Sequence, residues 1–314
     1  MPDTSRFDDA TLAASLDGGF TSRHAEVNGT RLHFVDSGDS DSDSGRGRGR
    51  DRDRDRDRET LVLLGGWPQT WWQWHKVMPA LARRFRVIAV DLRGMGGSAK
   101  PEGGYDKRTM AADINALLTH LGIESAHVVG HDIGAMVAYA HAANHPESTS
   151  RVVLLDVAHP DPEWARLTLL PEQGARHKWW FAFNQVQGLP EQLLADRYHH
   201  LLDWLFANAS ADPTAIDAHS RAVYAEAYNS PDAIRASNGW YRAFVQDIAD
   251  LATYTPVSTP LLALGGEYAN YAQLTTAVPK LGTDTRVVRV DGSGHYFPEE
   301  RPEIVLEELL RFLG

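Results

Sequence analysis

Short apolar runs separated by polar turns recur along most of the chain. Residues 25–27 and 32–35 flank Asn28-Gly29, the strongest short hairpin signal, and predict two antiparallel strands. Runs at 61–64, 86–90, 125–129, 151–155, 260–264 and 285–290 read as further short buried strands. Residues 109–121 place apolar side chains at helical spacing before Gly122, and 135–143 are helix-like directly behind the strand 126–129. Strands alternating with helices predict an α/β fold, a mostly parallel, doubly wound sheet covered on both faces. Between about 160 and 250 the pattern changes to aromatic-rich helices with no strand candidates. The expected organisation is therefore an N-terminal tail at 1–20, a core built from 21–157 and 246–314, and a helical cap at 158–245 inserted into it.

One stretch fits neither period. Residues 39–58 read DSDSDSGRGRGRDRDRDRDR, with seven Asp, seven Arg and no apolar side chain. Such a segment cannot enter a core, and it falls in the connection between two strands. An Arg/Gly tract can touch RNA or a partner. Here the interleaved Asp residues cancel the field that a phosphate backbone needs, which favours a solvated, self-neutralising loop.

The 314-residue chain is 43% hydrophobic, enough for one large domain with an insertion. Its net charge of −11 belongs wholly to the part outside 39–58 and opposes non-specific nucleic-acid binding. No run approaches the length of a membrane span, and the polar start offers neither a secretory h-region nor an anchor. With no Cys, thiol nucleophiles, disulfides and thiolate metal sites are excluded, which fits a reducing, cytoplasmic setting. A small-molecule enzyme is the expectation, without nucleic-acid or membrane partners. Oligomeric state is open, a homodimer included.

Candidate chemistry begins at Gly130-His131-Asp132-Ile133-Gly134, between a buried strand and a helix. Small residues two positions either side of a polar one permit a strained strand-to-helix turn that exposes the central side chain. The helix's first N–H groups then point at the same place. Asp132 thus stands where a nucleophile is displayed; its bland alternative is a helix N-cap. His141 and His145 lie four apart, a spacing that can bind zinc, but their position in the last turn before Pro146 favours exposed imidazoles. No Walker or dinucleotide Gly-rich loop is found, so neither cofactor nor metal is expected.

With Gly65-Gly66-Trp67-Pro68 after the third strand, Asp91-Leu92-Arg93-Gly94-Met95-Gly96-Gly97-Ser98 after the fourth, the Asp132 turn, and Gly292-Ser293-Gly294-His295 near the end, the sequence resembles the α/β-hydrolase superfamily. Within it the likeness is to the branch with an aspartate nucleophile, epoxide hydrolases and haloalkane or haloacetate dehalogenases. The resemblance covers about 20–314 apart from the charged stretch. One departure is that the family usually has His-Gly-x-Pro where this chain has Gly65-Gly66-Trp67-Pro68.

The resemblance implies an alkyl ester on Asp132, then hydrolysed by water that His295 activates. It places the oxyanion donors at the backbone N–H groups of Trp67 and Ile133. Two residues could orient His295: Asp156, which ends the strand 151–155, and Glu267, which follows 261–264. Asp156 is preferred because some members of the branch place the acid after the earlier strand, and Glu267 stays the alternative. Lys178-Trp179-Trp180-Phe181-Ala182-Phe183 and Trp240-Tyr241-Arg242-Ala243-Phe244 resemble the cap segments that aim donors at an epoxide oxygen or a halide. Trp180 and Tyr241 are the expected donors, and Trp67 and Trp179 join them as substrate-binding residues. Trp179 and Phe181 also read as members of an aromatic core cluster. Trp71, Trp72 and Trp74 read as packing under the cap.

The implied function is a cofactor-independent epoxide hydrolase acting on a bulky or aromatic small-molecule epoxide. A dehalogenase using the same Asp132 ester is the nearest alternative. Ile133 and Met136 are apolar where haloacetate dehalogenases resemble one another in offering arginines. A non-catalytic binding or scaffold protein is the alternative from another class.

Overall fold

Asn28 and Gly29 both take positive φ angles, 46° and 71°, and turn the chain from β1 (Thr21–Val27) into β2 (Thr30–Asp36). Val27 faces Thr30 across that two-residue turn, the arrangement the Asn-Gly pair favours because both central residues need positive φ. The computed structural model describes residues 7–38, 58–167 and 177–314. The charged stretch 39–58, apart from Arg58, lies outside the described residues.

Each apolar run becomes a strand: β3 (Thr60–Leu64), β4 (Arg86–Asp91), β5 (Ala126–His131), β6 (Thr149–Leu155), β7 (Leu261–Gly266) and β8 (Thr285–Val290). Among the described residues they form one sheet in the order β1-β2-β4-β3-β5-β6-β7-β8. β2 pairs antiparallel with β1 and β4, and β3 to β8 run parallel. β3 and β5 are buried at every position, as a strand covered on both faces must be. β8 lies at the sheet edge with only Val290 buried, so the expectation of a buried strand fails there. The chain leaves β3 for β4 on one side and later returns as β5 on the other. That reversal opens a crevice beyond the carboxyl ends of β3 and β5.

The helix Lys107–His120 starts where the Asp106 carboxylate accepts the Thr109 N–H at 2.8 Å, and its chain turns away at Gly122 (φ 68°). Met110, Ile114, Leu117 and Leu118 form its buried stripe, each worth roughly 1.5–3 kcal/mol in burial. The helix Ile133–Asn144 is apolar on all sides and is the central one, buried from Ile133 to Ala142. Between β6 and β7 the described residues contain helices and no strand. A buried ion pair, Lys107 Nζ to Asp247 Oδ2 at 2.7 Å, ties the end of that helical segment to the core. None of the helices among the described residues is long and apolar enough to cross a membrane.

Two expectations change. Residues 7–20 do not trail as a tail: Asp8 caps the helix Asp9–Ala14 and Leu12, Ala13 and Phe20 are buried. Asp9 also accepts the Trp71 indole N–H at 2.8 Å, so this turn is fastened to the core. Residues 1–6 lie outside the described residues. His141 is buried rather than exposed, with Nδ1 2.8 Å from Thr149 Oγ1, and burial brings its pKa down to about 3. His145 is half-buried. The helix turns its last residues toward β6, which the helix's own sequence does not announce.

Candidate active site

Asp132 sits between β5 and the helix Ile133–Asn144 at φ 53°, ψ −119°, a conformation that L side chains rarely adopt. The flanking glycines make the turn possible. A Cβ on Gly130 would lie 2.0 Å from the Gly134 carbonyl oxygen, and one on Gly134 would lie 2.2 Å from that of Leu64. A Cβ on Gly66 would lie 2.4 Å from the Asp132 Cβ, so the loop after β3 can approach only because position 66 is glycine.

That approach brings the Trp67 N–H to Asp132 Oδ1 at 3.0 Å, and Ile133, the first helical residue, adds its own N–H. Burial pushes the Asp132 carboxyl up. The His295 hydrogen bond and charge, the His131 ring and the Ile133 N–H outweigh it and hold the group below the usual carboxylate range.

His295 Nε2 lies 3.6 Å from Asp132 Oδ2, while its Nδ1 lies 2.6 Å from Asp156 Oδ2. Asp156 follows β6 at φ 63° and is fully buried. Its Oδ1 accepts the N–H groups of Gly266 (3.0 Å) and Asn270 (3.2 Å), and Oδ2 accepts the Asn270 side-chain amide at 2.9 Å. A carboxylate held this way only accepts, so Nδ1 of His295 carries a proton and neutral His295 presents its lone pair at Nε2, toward Asp132. Burial lowers the His295 pKa, but the hydrogen bonds and charges of Asp132 and Asp156 raise it to about 9. Glu267 does not reach the ring: its Oε2 accepts the Gly292 N–H at 2.8 Å and fixes the turn leading to His295.

A cavity of about 260 Å³ opens over these groups, its walls including Trp67, Trp180, Phe181, Tyr241 and Tyr296. Tyr241 is buried, its ring edge-on to Trp67 at 5.4 Å and to Phe181 at 5.6 Å. Burial first, and the Asp132 charge next, push its phenol well above 10, so it is a neutral donor. Trp180 begins the four-residue helix Trp180–Phe183 and lines the same cavity. Trp179 does not line it. One residue earlier on the turn, it faces away and packs edge-on against Phe183 (5.5 Å) and Trp204 (5.3 Å). Phe181, grouped with an aromatic cluster from sequence, does pack against Trp164 (5.5 Å) and Phe244 (5.9 Å), and it is a cavity wall as well. Trp71 and Trp74 are fully buried packing, and the Trp72 indole N–H meets Ser220 Oγ at 3.2 Å.

Sequence reasoning missed several site residues. Tyr296 follows His295 directly, yet nothing in its spacing marks it as a wall. Asn270 supplies two of the donors to Asp156 from the loop after β7. Buried His131, brought down to about 3 by burial and then by the His295 charge, stands with its ring 4.7 Å from that of His295.

The family profile described as alpha/beta hydrolase fold matches residues 59–302. The soluble epoxide hydrolase of Corynebacterium sp. (strain C12) is 31% identical over 305 residues, covering 94% of this chain and 97% of the relative. The fluoroacetate dehalogenase of Burkholderia sp is 31% identical over 270 residues, 81% of this chain and 86% of that protein. Among solved structures, the epoxide hydrolase CorEH without ligand superimposes with a TM-score of 0.79 at 32% identity, over 93% of this chain and 98% of that one.

Proposed function

Because the chain belongs to the α/β-hydrolase family and is a hydrolase of its epoxide-hydrolase and dehalogenase branch, we propose that it opens epoxides to vicinal diols through an ester on Asp132. Membership sets aside the scaffold reading. One observation carries the proposal: a depressed carboxylate at a strained turn faces, across one cavity, a neutral phenol and a histidine already oriented by a buried acid.

In the first step an Asp132 oxygen attacks a ring carbon and the C–O bond of the epoxide breaks. The nascent alkoxide takes the Tyr241 proton while the Trp180 indole N–H steadies it. Alkylation then removes the Asp132 charge, one of the supports that lifts His295 to about 9. The imidazolium becomes a stronger acid beside a newly made, strongly basic phenolate. His295 gives up its proton, the Tyr241 phenol is restored, and Nε2 is free to act as a base.

In the second step water loses a proton to Nε2 and attacks the ester carbonyl. The tetrahedral oxyanion meets the N–H groups of Trp67 and Ile133. Collapse expels the diol as its alkoxide, which takes the imidazolium proton, and the new Asp132 carboxylic acid passes its proton to Nε2, restoring the carboxylate and the imidazolium. The helical segment serves as the cap in this reading, and its aromatic walls suit an aryl-substituted epoxide. Ile133 and Met136 leave the turn apolar, which favours a neutral epoxide over the haloacid that a fluoroacetate dehalogenase takes.

His295→Gln tests the assignment. Offered an aryl-substituted epoxide, it should gain the mass of one substrate and hold it, whereas Asp132→Ala should gain nothing. In one turnover of the wild type in heavy-oxygen water, the first diol should carry an oxygen from Asp132. A first product oxygenated only from solvent would mean direct water attack. Halide release from haloalkanes without any epoxide opening would turn the reading to dehalogenation.

A further inference from the structure

The three backbone N–H groups at and beside the base are held by two acceptors, Glu300 a few residues on and Ala209 far upstream. The Gly294 N–H meets Glu300 Oε2 at 3.1 Å, the His295 N–H meets the Ala209 carbonyl at 2.7 Å, and the Tyr296 N–H meets Glu300 Oε1 at 3.1 Å. Glu300 Oε2 also accepts from Ala211 at 2.7 Å and from Asp212 at 3.1 Å, residues 89 and 88 positions upstream. One carboxylate, 5% exposed, therefore binds four N–H groups from two segments. Ala209 ends the helix Tyr198–Ala209 and lines the catalytic cavity. The fit is close: a Cβ on Gly294 would lie 2.3 Å from the Ala209 oxygen and 2.6 Å from the Ala211 nitrogen.

From this geometry we propose that Glu300 is a positioning residue for His295, clasping the base-bearing loop to the end of the helix Tyr198–Ala209. The role rests on His295 being the base of the second step. Four backbone donors converging on one carboxylate satisfy a charge that would otherwise be costly to bury, and they fix the loop as a charge-assisted network. Since His295 Nδ1 is separately held by Asp156, backbone and ring are anchored at two points. Release of the backbone lets Nε2 drift from the ester carbonyl, where displacements of an ångström matter. Asp132 is anchored elsewhere, by the turn at 130–134 and the Trp67 N–H, so alkylation does not depend on the clasp.

Glu300→Gln is nearly isosteric and places an amide N–H₂ against at least one of the four donors; Glu300→Asp keeps the charge but withdraws it by one methylene. Both variants are read in two ways. In rapid-quench mass measurements with an aryl-substituted epoxide, adduct formation should stay within about threefold of wild type. Adduct decay should slow by about tenfold, the cost of roughly one charge-assisted hydrogen bond, so that ester accumulates. By nuclear magnetic resonance without substrate, the His295 imidazole should titrate about one pH unit lower as its contacts with Asp132 and Asp156 loosen.

Folded variants in which either readout stays at the wild-type value overturn the assignment, as does equal slowing of formation and decay. Failure of both variants to fold also overturns it, in favour of a purely structural carboxylate. If wild type forms no adduct from epoxides, the substrate reading fails, and a shifted His295 titration in Glu300→Gln would still stand as the mark of the clasp.

Discussion

The two walls of the cavity are built on different principles. On the sheet side the backbone does the positioning: Gly66, Gly130 and Gly134 leave no room for a Cβ, and Asp132 and Asp156 are held at positive φ. On the helical side side chains position one another. Tyr241 is gripped edge-on by Trp67, Phe181 and Phe244, and Trp180 stands on a helix of four residues. Steric exclusion at a backbone tolerates almost no substitution, whereas aromatic packing can be refilled by another ring. On the proposed reading the sheet side supplies the nucleophile and base, and the helical side is where leaving-group chemistry can be exchanged.

The strongest way to break that contrast is to separate the two donors of the helical side. Opening an epoxide leaves a tethered alkoxide, which needs a proton; a departing halide needs only hydrogen bonds. Tyr241→Phe should slow epoxide alkylation by roughly 10² to 10⁴, the span for lost general-acid catalysis, with a smaller effect on ester decay. Trp180→Phe removes one neutral hydrogen bond and should cost on the order of 1–3 kcal/mol in the same step. Pre-steady-state alkylation rates decide it. If Tyr241→Phe alkylates epoxides at the wild-type rate, proton donation lies elsewhere and the helical side is only a container.

The same division governs what could be read from sequence. All eight strands, the Asn28-Gly29 turn and the Asp132 turn were legible because backbone constraints write themselves as glycines and apolar runs. Asp156 and Glu267 could not be separated that way, since both end strands that point to one crevice. Only the folded sheet shows Asp156 accepting from His295 and Glu267 accepting from Gly292. Both Trp179 and Phe181 join aromatic clusters, but the cavity takes Phe181 and not the expected Trp179, because four residues of helix give too little periodicity to fix which face is inward. Glu300 was invisible for another reason: two of its four partners are backbone groups 88 and 89 residues away, and backbone donors have no residue identity. Residues 7–20 were missed although Asp8 three places before Thr11 is a capping arrangement, because one short turn rarely signals packing by itself.

A second, smaller effect sharpens the comparison through pH. Burial lowers four imidazoles, three on the sheet side and His159 at the start of the helical segment: His75 to about 4, and His131, His141 and His159 to about 3. Each is neutral in the fold and ordinary when unfolded, so its contribution is present above about 6.5 and is lost as pH falls toward 3 to 4. Glu299, which accepts from Tyr224 at 2.9 Å, is raised to about 8 by burial first; its contribution is complete below about 4.5 and is lost as pH rises through 8. His295, raised to about 9, behaves likewise between about 6.5 and 9. Between 4.5 and 6.5 the four imidazoles outweigh the single carboxyl, so stability should peak near pH 6.5 and fall by several kcal/mol on the order of two units lower. Urea midpoints from pH 4 to 9 measure it. His141→Gln, remote from the reacting atoms, should flatten the acid limb; an unchanged slope would show that His141 titrates normally and that the sheet side is less closed than described.

The smallest effect belongs to neither wall. β2 and β3 flank β4, so the link from Gly38 to Arg58 must cross one strand, about 10 Å at the usual spacing, before the chain resumes. Six extended residues reach roughly 20 Å, which is ample. Nothing in the catalytic crevice needs more, because that crevice lies beyond the carboxyl ends of the parallel strands, whereas β2 ends at Asp36, opposite Ile88 in the middle of β4. Replacing 39–57 by a six-residue Gly/Ser link should leave both alkylation and ester decay at their wild-type rates. Loop-closure entropy changes by only about 1 kcal/mol for such a shortening, and in the stabilising direction. A variant that folds with the wild-type denaturation midpoint but loses turnover would show that the charged stretch takes part in the reaction, and the site would then have a third wall that the sheet and the helices do not supply.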